Sequence, residues 1–210
     1  MPCDFPPLVA QRKNGIEGFR CEGRDAGFDL LSFWQWSVSD LVSNATRGVL
    51  AEYIVAQALG VAKEVRSEWD AFDLRTKSGL KVEVKSAAYV QSWFQRGLSS
   101  IVFRVGPRRP WDSATNVLGT ESKWQADVYV FALLAHQDKS TVDPMNLDQW
   151  EFYVIDVSVL ESRQRSQHSI TLKSLRSLCP AAVQFAGLAE AIVRVGESFK
   201  QATKTPMEVP

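Results

Sequence analysis

The sequence predicts a mixed α/β domain with a central β-sheet flanked by helices, and three observations predict it. Residues 37 to 60 carry helical spacing, residues 71 to 157 hold a series of short apolar runs of strand character, and AAVQFAGLAEAIVRVGESF returns to a helical pattern. A helix, a run of strands and further helix is the order in which a central sheet acquires cover on its faces.

Residues 1–36 mix proline, glycine and aromatics (Phe19, Phe28, Phe33, Trp34, Trp36) without sustained periodicity, which predicts an irregular N-terminal arm packed on the domain. The domain itself is expected over residues 37–200, followed by a flexible tail over 201–210. From Ser37, SVSD offers a capping-box-like start, and the helix is expected to run to Gly60. Val38, Leu41, Ala45, Gly48, Glu52, Ala56 and Leu59 follow one another at intervals of three or four and form one stripe. Glu52 is the acid on that stripe, in line with small and apolar positions.

Strands are expected over about residues 71 to 76 and 80 to 88, and again in IVFRV, ADVYVFALLA and WEFYVIDV. A long polar connection, GPRRPWDSATNVLGTESKWQ, separates the first of these apolar runs from the second. With 210 residues, 45% of them apolar, the chain can bury a substantial core. Lys plus Arg (24) balance Asp plus Glu (24), so a polyanion would have to be bound by a local patch. The three cysteines are widely spaced and contain no CxxC, which excludes a disulfide framework or a zinc ribbon as the organising element. The sequence holds no apolar run of about 18 residues, and its first residues mix prolines with charges, so a cytoplasmic protein with no membrane partner is expected.

The stretch DLRTKSGLKVEVK, from Asp73 to Lys85, carries the chemistry. Lys77, Ser78 and Gly79 read as a three-residue hairpin loop with glycine at the left-handed position. Thr76 then faces Leu80, Leu74 faces Val82, Phe72 faces Val84, and this apolar set shares one side. By the same count Asp73 faces Glu83 on the other side, with β-carbons about 4.5–5.5 Å apart, and Lys85 follows Glu83 on that face. Slipping the register by one residue would split Leu74 and Val82 between faces. Two opposed carboxylates repel, and a divalent cation relieves the conflict; Mg²⁺ prefers such hard oxygen ligands and keeps positions for water and a phosphate oxygen. A protonated Lys85 can orient a water or meet charge developing at phosphorus.

Asp73 followed by Glu83-Val84-Lys85 on the next strand resembles the PD-(D/E)XK nuclease superfamily, the restriction-endonuclease-like fold, over about residues 40 to 156. Phe72 stands where the proline of the superfamily's name would be. The resemblance implies a divalent-metal-dependent endonuclease acting on DNA. Asp73, Glu83 and the Val84 carbonyl, with Glu52 from the preceding helix, would hold Mg²⁺ or its substitute Mn²⁺, and Lys85 would position the attacking water. It also implies that Gln91, just past the lysine in EVKSAAYVQSW, contacts substrate, and that a homodimer or partner subunit assists binding. Arg104, Arg108, Arg109 and Lys123 form the best phosphate-contacting candidates in the sequence.

Other readings stand beside these. Asp70 competes with Asp73, although strand parity turns it to the other face. Glu52 also reads as a helix-margin acid reaching solvent or pairing with Arg47 or Lys63. The same framework could serve as a catalytically silent scaffold that binds DNA or protein, or as a nuclease acting on RNA. His136 and His168 are isolated and form no metal or nucleophile signature.

Overall fold

The computed structural model describes residues 7–112, 115–163, 168–179 and 181–204. The start of the arm, including Cys3, and the tail from residue 205 onward lie outside the described residues.

In chain order the elements are β1 (Gly18–Cys21), β2 (Arg24–Asp29), α1 (Leu30–Val38), α2 (Asn44–Leu59), β3 (Leu74–Arg75), β4 (Lys81–Ala88) and β5 (Val102–Arg104). They continue with β6 (Trp111–Asp112), β7 (Val117–Leu118), β8 (Val128–Leu134), β9 (Trp150–Asp156), α3 (Val157–Glu161), β10 (Ser169–Thr171), α4 (Leu172–Leu178) and α5 (Phe185–Lys204). A single 3-10 turn, Leu147–Gln149, leads into β9.

The fold is mixed α/β, as the sequence predicts. Its central sheet has the order β3-β4-β8-β9, with β4 and β8 parallel and the other pairs antiparallel. β8 is buried along its whole length, which is why VYVFALL reads as an unbroken apolar run rather than an alternation. One face of the sheet, with Val82, Val84, Val128 and Val130, packs on Ala51, Ile54 and Val55 of α2 and on Leu188 and Ile192 of α5. The opposite face, with Tyr129, Phe131, Tyr153 and Ile155, is covered by Phe103 of β5, Ile170 of β10 and Leu175 of α4. No helix among the described residues is long and apolar enough to cross a membrane.

Three expectations are corrected. The segment expected to be irregular contains the β1–β2 hairpin and α1, because Asp29 and Ser32 form a reciprocal capping box: Ser32 N donates to Asp29 Oδ1 at 2.8 Å and Asp29 N to Ser32 Oγ at 3.3 Å. The helix expected from Ser37 is accordingly split, and α2 begins at Asn44. Its buried positions are Arg47, Ala51, Ile54, Val55 and Ala56, so the inward stripe is rotated from the expected one and Glu52 stands at its margin.

The third correction concerns the hairpin. Leu74 pairs with Val82 and Arg75 with Lys81, the register the turn predicts, and Gly79 takes φ of +81°. The ladder nevertheless stops at Leu74. The Val84 N–H, which Phe72 would serve in a continued antiparallel ladder, donates instead to Asp73 Oδ2 at 2.7 Å. Phe72 therefore leaves the expected face and packs with the cluster on the other side of the sheet, where Arg75 lies 4.7 Å and Lys81 5.6 Å from its ring centre.

Candidate active site

The site forms where the short edge strand β3 meets β4. Alternation along β4 sends Val82 and Val84 into the core beneath α2 and leaves Glu83 and Lys85 on the opposite face. Glu83 is buried, 6% exposed, and its carboxylate is paired with Lys85 Nζ; Arg108 Nη2 lies 3.7 Å from the same Oε1. Asp73, one step beyond the Leu74↔Val82 pair, holds its carboxylate against the Val84 N–H. Burial pushes the Asp73 pKa up to about 7, the charges of Glu83 and Glu52 push it the same way, and Lys85 and the Val84 N–H oppose them.

Glu52 approaches from α2. Its carboxylate is held in a two-point pair with Arg66, through Nε and through Nη2 at 3.1 Å, so its partner is neither Arg47 nor Lys63. That pairing is the first cause of the raised Arg66 pKa. Tyr129, opposite Glu83 on β8, has its hydroxyl pKa raised by burial first and by the Glu83 charge second.

Two cavities flank these groups. One, of about 340 Å³, is lined by Glu52, Arg66, Asp70, Asp73 and Arg75 among others. The other, of about 370 Å³, lies along β4 past Lys85 and takes in Arg47, Gln91, Arg104 and Arg108. The structure thus brings Asp73, Glu83, Val84, Lys85 and Glu52 together and adds Gln91, Arg104 and Arg108 on one flank. Arg109 and Lys123 line neither cavity: Arg109 Nε donates to Gly119 O at 2.7 Å, and Lys123 pairs its backbone with Arg108. Gln91 is buried with its amide held internally, Nε2 donating to Ala88 O at 2.9 Å and Oε1 accepting from Arg47 Nη1 at 3.3 Å.

Sequence reasoning missed two residues. Arg47 sits on the buried stripe of α2, and an arginine in such a stripe was the available signal. Arg66 lies in the loop after α2, 14 residues from Glu52, where no local pattern marks it.

Residues 25–174 match the family model of bacteriophage T4 endonuclease IV. The chain belongs to the bacteriophage T4 endonuclease IV family. This is a nuclease family, and its match runs from within β2 to within α4, so Glu52, Asp73, Glu83, Lys85, Arg104 and Arg108 all fall inside it while α5 lies beyond. No curated protein shows a significant match to the chain.

Proposed function

We propose that this member of the endonuclease IV family is a divalent-metal-dependent endonuclease that hydrolyses phosphodiester bonds in DNA on the PD-(D/E)XK plan. One observation carries the reading: two carboxylates from adjacent strands, Asp73 and Glu83, share a buried corner of the sheet beside the Lys85 amine, and burial first, with the Glu83 charge second, holds Asp73 near the point of protonation. The family match supports DNA cleavage from an independent direction.

The donor set suits a hard cation. Asp73 and Glu83 offer only oxygens, and a cation beside them would offset the burial and the like charge that raise Asp73. Among the described residues no cluster of three or more His, Cys, Asp and Glu side chains forms a ready cage. Mg²⁺ takes one or two carboxylates and retains water in its remaining positions, so the Asp73 and Glu83 pair alone would suffice for it. Asp73, Glu83 and the Val84 carbonyl would hold the cation, Glu52, whose two oxygens both bond Arg66, would contribute only on leaving that pair, and Mn²⁺ would substitute for Mg²⁺. When bound, the cation supplies Lewis acidity and charge neutralisation at the phosphate.

The chain's own groups do the rest. Lys85, released from Glu83, donates to the attacking water and orients it in line with the scissile bond. Its ammonium also meets the negative charge that grows on the phosphoryl oxygens. Arg104 and Arg108 place the strand by its backbone phosphates. By this plan the products carry a 5′-phosphate and a 3′-hydroxyl.

The test uses the full chain with DNA and Mg²⁺. Asp73→Asn, Glu83→Gln and Lys85→Ala are each expected to fold and to lose cleavage by about a hundredfold or more. Parental cleavage rates in all three folded variants would remove the assignment.

A further inference from the structure

We propose that the cavity past Lys85 is a phosphate subsite, anchored by the buried Arg47, that takes a phosphate group of the bound strand next to the one attacked. It rests on the nuclease reading for the carrier of that phosphate, while the phosphate chemistry stands on the cavity alone.

Charge is the first argument. Arg47, Lys85, Arg104 and Arg108 all line this cavity, and none of the described residues lining it is acidic. In a chain whose Lys plus Arg and Asp plus Glu both number 24, such segregation is a local design and not a reflection of composition. Lys85 and Arg108 already share Glu83. Arg47 and Arg104 are in none of the ion pairs formed among the described residues.

The second argument is the burial of Arg47, which is 3% exposed. Its guanidinium donates to neutral acceptors throughout: Val42 O at 2.6 Å, Asn44 Oδ1 at 2.7 Å, Ser86 Oγ at 3.2 Å and Gln91 Oε1 at 3.3 Å. Asp40 acts on it electrostatically, and burial outweighs that influence in lowering its pKa. A desolvated guanidinium without a bonded counter-ion is costly, and an entering anion removes that cost. Gln91 and Ser86 fix the plane of the group, so both are positioning residues.

The third argument is α2 itself. Asn44, its first residue, and Arg47, about one turn on, both line the cavity, which sets the N-terminal end of a 16-residue helix beside it, just after the Asp40 carboxylate that accepts the Val42 and Ser43 N–H groups at 3.2 and 3.1 Å. Cations from α2, β4, β5 and the loop bearing Arg108 therefore converge from four directions. Its position along β4, beyond Lys85 from Asp73, places the subsite to one side of the scissile phosphate.

The experiment uses the full chain without divalent metal, titrated with inorganic phosphate and followed by calorimetry and thermal unfolding. Phosphate is expected to bind and stabilise the parent, and to bind about tenfold more weakly to Arg47→Gln. Since Arg47→Gln can disturb the core, the doubly substituted Arg104→Gln/Arg108→Gln chain, altered only at exposed positions, is expected to show the same loss. In parallel, oligonucleotides carrying one neutral methylphosphonate, walked along the strand on both sides of the cut, are expected to lose about tenfold in cleavage at one position, with that penalty shrinking in the arginine variants. Comparing 5′-phosphorylated with 5′-hydroxyl strands tells a terminal monophosphate from an internal diester. Equal phosphate binding by parent and variants, or no position whose penalty depends on these arginines, overturns the subsite. A chain that binds phosphate here and cuts nothing overturns the nuclease reading while leaving the subsite in place.

Discussion

Asp73 Oδ2 accepts the backbone N–H of Val84 at 2.7 Å, and through this bond a side chain takes the place of a strand. The contact ends the β3–β4 ladder, turns Phe72 to the other face of the sheet, and fixes one carboxylate beside Glu83 and Lys85. Among the described residues the other Asp73 oxygen accepts no hydrogen bond, so a two-residue edge strand comes to present an acid with defined aim.

Removing the Asp73 charge should stabilise the metal-free protein above neutral pH. The folded-state pKa of about 7 exceeds the unfolded value of roughly 3.9, so between them the folded chain binds more protons. Stability from this group is complete below about pH 4 and lost as pH rises through about 7. Asp73→Asn keeps an acceptor for Val84 N–H and is expected to gain on the order of 1 kcal/mol at about pH 8, roughly 2–4 °C, with little gain at about pH 4. Urea unfolding at both pH values checks this, and a less stable Asn variant at the higher pH would contradict it.

Under the proposed function the same group sets the pH dependence of cleavage. A neutral carboxylic acid holds a cation poorly, so kcat/KM is expected to fall on the acid side with a midpoint near 7, the Asp73 value in the free protein. Because cation and proton compete, raising Mg²⁺ should move that midpoint to lower pH. A pH profile indifferent to metal concentration would separate Asp73 from the metal.

Glu52 is already paired with Arg66, so under the proposed function its contribution to a cation would be auxiliary. Glu52→Gln is expected to raise the Mg²⁺ concentration needed for half-maximal cleavage by about three- to tenfold, with the rate largely recovered at saturating metal. A loss of rate that excess metal does not repair would give Glu52 a different task.

Gly79 has φ of +81°, and an added β-carbon there meets nothing within 4 Å. Gly79→Ala therefore costs only the backbone conformation, about 1–2 kcal/mol, and Gly79→Asn is expected to cost less. Thermal unfolding of both variants provides the measurement. Equal stability of Gly, Ala and Asn at this position would mean the turn is not held in the left-handed region.

Gly196 is the opposite case, because a β-carbon on this α5 residue would stand 2.4 Å from Leu80 Cδ2. Alanine gains about 1 kcal/mol in helix propensity and loses about 1–3 kcal/mol to overpacking, so Gly196→Ala is expected to be neutral to destabilising. Pairing it with Leu80→Val should recover part of the loss, measured by a double-mutant cycle. An Ala variant more stable by the full propensity increment would show that the contact yields freely.

Much of this arrangement was legible in the chain. Gly79 and the alternation of Leu74, Val82 and Val84 fix the hairpin register as far as Leu74 opposite Val82, and the period of two along β4 puts Lys85 on the face of Glu83. The apolar runs that became β8 and β9 mark the strands beside it, since β8 is buried throughout and β9 is buried except at Glu151 and Asp156. These are short-range determinants, and a period or a turn expresses them without any partner.

Tertiary structure decided the rest. Whether the ladder continued from Leu74 to Phe72 depended on a choice between a carbonyl and a carboxylate as acceptor for Val84, a competition invisible in the order of residues. Arg66 reached Glu52 across 14 residues of chain, and Arg47, Gln91, Arg104 and Arg108 met around one cavity only because α2, β4 and β5 pack as they do. Charge and hydrogen-bond partners act through space, so their pairing follows from the packed arrangement of distant segments, while periodicity and backbone preference act along the chain and are written there.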